Sequence, residues 1–301
     1  MKPATKITKI LLALAAALGL IATSHSLPAQ DNYREIGAIP SSTANAASHA
    51  AQSPKSATTA SVSFSDKTQP GTLKLYVATA KITIDGTDGD KVIVTSTLDQ
   101  RGAPKVDDDG FRRLDEESLF ELVEKNNIAT LRVTGADPRF ISGAEFKIQV
   151  PRSTSLSIMT QLGDNIEIDG IDGDIEISTA NGDVRLKNIT GAVIVSTVNG
   201  KNDAAFKRAP QRPVSLTAMN NTITLAVPPA TAANLRLRAM NGAIRTNFPE
   251  SALQTRSATV SGNASGKRNT IIGDLTGKLN GGGVDIQLVT MNGAITLKQE
   301  K

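Results

Sequence analysis

The 301-residue chain is 39% hydrophobic but only 3% aromatic, has no Trp and no Cys, and carries a formal net charge of +4. A chain of this length buries a sizeable core, which here must be built from Ile, Val, Leu and Ala in thin layers. The lack of Cys excludes disulfides, thiol nucleophiles and a lipid-attachment cysteine.

The first element is a targeting segment. Lys2, Lys6 and Lys9 precede the apolar run Ile10 to Ala22, and small and polar residues follow to Gln30. This is the three-part layout of a secretory signal, assigned to residues 1–29. The thirteen apolar residues fall short of the roughly 20 that cross a bilayer. Losing this segment removes three Lys and no acid, leaving 30 basic against 29 acidic residues. The mature chain is then almost neutral, which removes the electrostatic basis for binding nucleic acid or an anionic membrane. Its expected location is the periplasm, the cell surface or the medium. Residues 30–60 are rich in Ala, Ser, Thr and Pro without hydrophobic period and read as a disordered leader.

From about residue 61, at "SVSF", the chain becomes repetitive. "KITIDGTDGD" (81–90) returns as "NIEIDGIDGD" (165–174), and "STANG" (178–182) as "STVNG" (196–200). Gly163, Gly173, Gly182, Gly191 and Gly200 are spaced by ten, nine, nine and nine residues. Between them Ile166 and Ile168, Ile175 and Ile177, and Val184 and Leu186 alternate with polar residues, the period-two signal of a half-buried strand. Each unit is a short strand plus a turn, and two turn types alternate, Asn-Gly with Asp-Gly or Thr-Gly.

The predicted corners are Asn181-Gly182, Asn199-Gly200, Asn220, Asn241-Gly242 and Asn292-Gly293, where glycine accepts positive φ and Asn tolerates it. Asn-Gly between alternating strands also fits an antiparallel meander. Ordered repetition of both corner types favours an all-β solenoid, β-helix-like, spanning 61–301. In it Asn181, Asn199, Asn220 and Asn241 stack as a ladder of amides. One lap buries too little apolar surface to offset its backbone entropy, so laps must cover one another. Residues 98–149, with the run "KVDDDGFRRLDEE" as a surface loop or short helix followed by the strand pairs "LFELVEKNNIATLRV" and "EFKIQV", and 250–283, rich in Ser, Gly and Asn, read as excursions from the stack. The last lap, Val284 to Leu297, is expected to leave a free sheet edge.

The "VSF" strand, "ITIDGTDGDKVIV", "IQVP" and the train of "NG-x-I/V-x-L" corners, spread over residues 61–299, resemble the putative adhesin family of exported β-strand-repeat proteins. The resemblance implies a β-helix-like solenoid at the envelope or cell surface and carries over no catalytic residue.

The only histidines, His25 and His49, precede the repeats, so His-based triads and His-ligated zinc are excluded from the folded part. Asp164, Asp169, Asp172, Asp174 and Asp183 are close in sequence, and clustered acids on a β-helix serve polysaccharide lyases and hydrolases. Asp beside Gly is equally ordinary turn chemistry. The "DGTDGD" strings lack the spacing of calcium rolls and EF-hands. No metal or cofactor is therefore expected. The first reading is a non-enzymatic exported protein of adhesion or envelope structure, binding a cell-surface polymer or envelope protein through polar rows that include Glu167, Glu176, Arg185, Thr222 and Thr224. The alternatives are a β-helix polysaccharide lyase or hydrolase, and a periplasmic partner in envelope signalling.

Overall fold

A computed structural model describes residues 58–97, 120–133, 144–162, 165–257 and 273–300. The signal segment, the leader up to residue 57, the charged run and its flanks (98–119), Gly163 and Asp164 lie outside the described residues.

The described residues are all-β, with one 3-10 turn at Glu250–Ala252. The strands in chain order are β1 (Thr58–Ser63), β2 (Thr72–Val77), β3 (Lys81–Thr87), β4 (Lys91–Ser96), β5 (Phe120–Lys125), β6 (Ile128–Val133) and β7 (Glu145–Pro151). The central series is β8 (Ser155–Thr160), β9 (Ile166–Asp169), β10 (Ile175–Asn181), β11 (Val184–Ile189), β12 (Val193–Asn199), β13 (Asn202–Phe206) and β14 (Val214–Asn220). The last are β15 (Ile223–Val227), β16 (Ala233–Ala239), β17 (Ile244–Thr246), β18 (Leu253–Ser257), β19 (Gly273–Leu279), β20 (Val284–Asn292) and β21 (Ile295–Gln299).

Two mixed sheets result. One has ten strands in the order β1-β4-β7-β3-β9-β11-β13-β15-β21-β17, and the other has eleven, β18-β19-β16-β20-β14-β12-β10-β8-β2-β6-β5. From β7 to β17 successive strands alternate between the sheets. In the centre each strand pairs in parallel with the one two places on: β8 with β10, β10 with β12, β9 with β11 and β11 with β13. Antiparallel pairs lie at the sheet ends, where β4 joins β1 and β7, β5 joins β6, and β19 joins β16 and β18.

The alternation read from the sequence sets which side chains meet. Ile166, Ile168, Ile175, Ile177, Val184, Leu186, Val193 and Val195 are all buried, and they belong to one core that runs from Phe64 to Leu297. Phe120 meets Phe146 edge to face, with ring centroids 5.8 Å apart. Each buried aliphatic contributes about 1.5–3 kcal/mol. The core is aliphatic because short strands facing one another across two sheets leave room for branched chains rather than for many rings.

The Asn corners do not close hairpins. Each one carries the chain out of the eleven-stranded sheet into the ten-stranded one: β10 to β11, β12 to β13, β14 to β15, β16 to β17 and β20 to β21. A hairpin does form between β5 and β6, where Asn126 and Asn127 both take positive φ, 53° and 63°. Two such residues in succession give the type I′ turn that suits right-twisted strands.

Three expectations change. The last lap is not a free edge, because β20 lies between β14 and β16, and β21 between β15 and β17. Its inward Ile286, Leu288, Ile295 and Leu297 fit the register of both neighbours. The segment 250–283, set apart as an excursion, contributes two strands, β18 and β19, whereas the strand pairs read at 119–133 and 145–150 are the observed β5, β6 and β7. Finally, β1 starts at Thr58, within the stretch read as leader.

Candidate functional site: an asparagine ladder and a polar row

The repeated phrase Ser-Thr-x-Asn-Gly divides its labour by residue. In β10 and β12 Ser178 faces Ser196 on the outer side, while Thr179 and Thr197 point inward and are buried. The buried hydroxyls are satisfied at the corner itself. Thr160 Oγ1 donates to Thr179 Oγ1 (2.8 Å), Thr179 Oγ1 to Asn181 O (2.6 Å), Thr197 Oγ1 to Gly200 O (3.3 Å), and Thr290 Oγ1 to Asn221 O (2.9 Å). Leaving such hydroxyls or carbonyls unpaired would cost about 1–3 kcal/mol each.

The Asn side chains form a continuous ladder. Asn199 Nδ2 donates to Asn181 Oδ1 (3.0 Å), Asn220 Nδ2 to Asn199 Oδ1 (2.9 Å), Asn292 Nδ2 to Asn220 Oδ1 (2.8 Å) and Asn241 Nδ2 to Asn292 Oδ1 (2.8 Å). The structure thus brings together all five predicted corner Asn residues. It places Asn292 between Asn220 and Asn241, so the ladder does not follow chain order.

The corner glycines serve mainly close approach rather than positive φ. Only Gly182 among the five predicted corners has positive φ, 105°. At Gly200 a Cβ would overlap the carbonyl of Gly182, and at Gly293 that of Asn221. The corners stack so tightly that one lap's backbone occupies the space a side chain would need.

Beyond the corner lies the outer face of the ten-stranded sheet. There the register aligns one row across all ten strands: Thr59, Thr95, Lys147, Thr83, Glu167, Arg185, Asp203, Thr224, Thr296 and Arg245. At about 4.8 Å per strand the row extends about 43 Å. Arg185 Nη1 donates to Glu167 Oε1 at 2.7 Å. Thr83, Asp85, Glu167, Asp169, Arg185 and Lys187 line a shallow depression in this face. Of the outward residues predicted to act together, Glu167, Arg185 and Thr224 share the row. Glu176 is on the other sheet, and Thr222 is in the corner before β15.

The Asp residues are separated by the corners. Asp172 and Asp174 lie on the turn between β9 and β10, Asp183 on the turn between β10 and β11, and Asp169 at the end of β9. Each is engaged. Asp169 Oδ1 accepts from Asn188 Nδ2 (2.7 Å), Asp172 Oδ1 from Thr190 Oγ1 (2.7 Å), Asp174 Oδ1 from Ala192 N (3.1 Å) and Asp183 Oδ1 from Lys201 N (2.8 Å). Asp174 also pairs with Arg212, and Asp172 with Arg208. Asp174 and Asp183 therefore hold the next lap's backbone, and Asp169 and Asp172 hold its side chains. Among the described residues no three His, Cys, Asp or Glu side chains gather to hold a metal ion, and no helix is long and apolar enough to cross a membrane.

No protein-family model and no curated protein matches the chain. Among solved structures it is similar to a putative cell adhesion protein from Clostridium sporogenes, with 12% identity, 81% of this chain and 100% of that one covered, and a TM-score of 0.41. It is also similar to a putative adhesin from Bacteroides fragilis (11% identity, 82% and 98% covered, TM-score 0.25). A third is a putative lipid binding protein from Parabacteroides distasonis (10% identity, 81% and 97% covered, TM-score 0.21).

Proposed function

We propose that the two sheets are the opposite walls of an exported β-solenoid that binds an extended, repetitive polymer of the cell envelope or surface without transforming it. The observation that carries this reading is the unbroken row from Thr59 to Arg245 on the ten-stranded sheet. A polymer with repeating polar groups can meet the row at several points at once. Each exposed contact is weak, worth about 0–1 kcal/mol for an ion pair, and simultaneous engagement multiplies their effect. The engaged acids at the corners favour a structural role for Asp172, Asp174 and Asp183 over acid-base chemistry. The apolar run after Lys9 supports export.

The reading is tested by co-sedimentation of the mature protein with insoluble envelope polysaccharide and peptidoglycan. The triple variant Lys147→Glu, Arg185→Glu, Arg245→Glu reverses three charges in the row. Binding that salt weakens and that the variant lowers at least about tenfold, or about 1.4 kcal/mol, is expected. No retention on any polymer, retention that the variant leaves unchanged, or new reducing or unsaturated ends in the polymer would overturn it.

A further inference from the structure

We propose that the Asn241-Gly242 corner is a site of spontaneous, water-driven deamidation, and that the asparagine ladder shields its three other Asn-Gly rungs, at 181, 199 and 292, from the same reaction. The chain repeats the most reactive dipeptide for this chemistry five times, at residues 181, 199, 241, 280 and 292. Asn280 stands outside the ladder, its Nδ2 donating to Pro229 O (2.9 Å) and Thr231 O (2.8 Å), and the other four are rungs of it. Glycine places no side chain in the way of its own backbone nitrogen. The fifth rung, Asn220, is followed by Asn221 and lacks that advantage.

The ladder distinguishes its four Asn-Gly rungs. Asn199 and Asn292 are held on both sides, each donating through Nδ2 to one neighbour and accepting through Oδ1 from the other. Asn181 accepts from Asn199, and the nitrogen that would attack it is occupied, because Gly182 N donates to Asn199 O (3.1 Å). Asn241 is the terminal rung. Its Nδ2 donates to Asn292 Oδ1, and among the described residues no group donates to its Oδ1. The following glycines differ in the same direction: Gly200 is buried, Gly182 and Gly293 are half-buried, and Gly242 is exposed. Gly242 also leads into β17, the three-residue edge strand of its sheet. Of the four rungs, the amide carbon of Asn241 is thus the least restrained, and the nitrogen beside it is open to solvent.

In the reaction hydroxide takes the proton of Gly242 N, and the nitrogen attacks Cγ of Asn241. A new N–C bond forms, the Cγ–Nδ2 bond breaks, and Nδ2 leaves as ammonia after taking a proton from water. Water then opens the cyclic imide at either carbonyl, giving aspartate or isoaspartate, so the net change consumes one water and releases one ammonia. The product carries a new negative charge and no longer donates to Asn292 Oδ1. Isoaspartate also lengthens the backbone where Gly242 packs against the carbonyl of Gly293. The conversion therefore loosens the end of the ladder one rung at a time.

The test incubates the full chain in mildly alkaline buffer, native and in denaturant, and follows each Asn-Gly peptide by its mass gain of about 1 Da. In the native protein Asn241 should convert at least about fivefold faster than Asn181, Asn199 or Asn292, the factor set by one further net hydrogen bond that must open. In denaturant the rates of these four rungs should converge. Native conversion of Asn199 or Asn292 as fast as Asn241, or a native Asn241 that stays intact while the denatured chain converts, would overturn the proposal.

Discussion

The centre of the molecule and its C-terminal end use the same corner phrase to opposite effect. In the centre, laps stack in the order they are made. Asn181 meets Asn199 eighteen residues on, and Asn199 meets Asn220 after twenty-one. At the C-terminal end Asn220 instead meets Asn292, seventy-two residues away, and Asn241 pairs back onto Asn292 across fifty-one. The lap "RAMNGAIRT", which follows in sequence, is displaced outward by "VTMNGAITL", which comes later. Both phrases present an apolar row, an Asn and an Ile in the same register. Local pattern therefore specifies the shape of each lap but not the order of two laps that look alike. What favours insertion is the longer inner row of β20–β21: Leu297 is buried opposite Leu225, whereas the corresponding position in β17 is the exposed Thr246.

The largest effect follows from removing the inserted lap. A chain ending at Gly283 loses β20 and β21, the strands that join β16 to β14 and β17 to β15, so β16 to β19 should lose amide protection while β9 to β13 keep theirs, as nearest-neighbour stacking requires. Hydrogen exchange resolved by strand measures this. Retained protection in β16 and β17 would mean that they dock directly on β14 and β15, and the order at this end would then be set by competition alone.

A smaller effect separates shape from order. Gly200→Ala puts a methyl group into the carbonyl of Gly182 in the centre of the stack. The clash is with backbone on a face that cannot yield, so a loss of about 3 kcal/mol or more in the denaturant midpoint is expected, at the upper end for overpacking. A loss below about 1 kcal/mol would show that the laps can move apart, and close approach would no longer explain the glycines.

The same contrast explains how much was legible in advance. Alternation of Ile and Val with polar residues fixed the strands, and the spacing of Asn181 and Asn199 fixed their register, because both are carried by neighbouring residues. The buried threonines were visible only as part of a phrase: Thr179 and Thr197 stand at inward positions of the alternation, and a polar residue there signals a carbonyl that needs a donor. The insertion of β20–β21, the paired β18 and β19, and the row that joins Thr59 to Arg245 depend on contacts between residues far apart in sequence. No local period records those. The glycines were located correctly but for a different reason, since a turn and a close approach demand the same residue.

The smallest expected effect tests whether the ladder is cumulative. Asn199 lies in the ordered centre and Asn241 at the outer end, so Asn199→Ala removes two amide hydrogen bonds and Asn241→Ala one. Both side chains are exposed, and water recovers part of each loss, which leaves about 0.5–1.5 kcal/mol per bond. Asn199→Ala should therefore cost about 1–3 kcal/mol and Asn241→Ala about half as much. Chemical denaturation of the two variants beside the parent protein reads the difference directly. The outcome turns on position rather than chemistry, because the two residues have the same type, the same corner and the same donor atom. Equal losses would mean that each amide answers only to solvent, and the ladder would then describe where the laps sit without helping to hold them there.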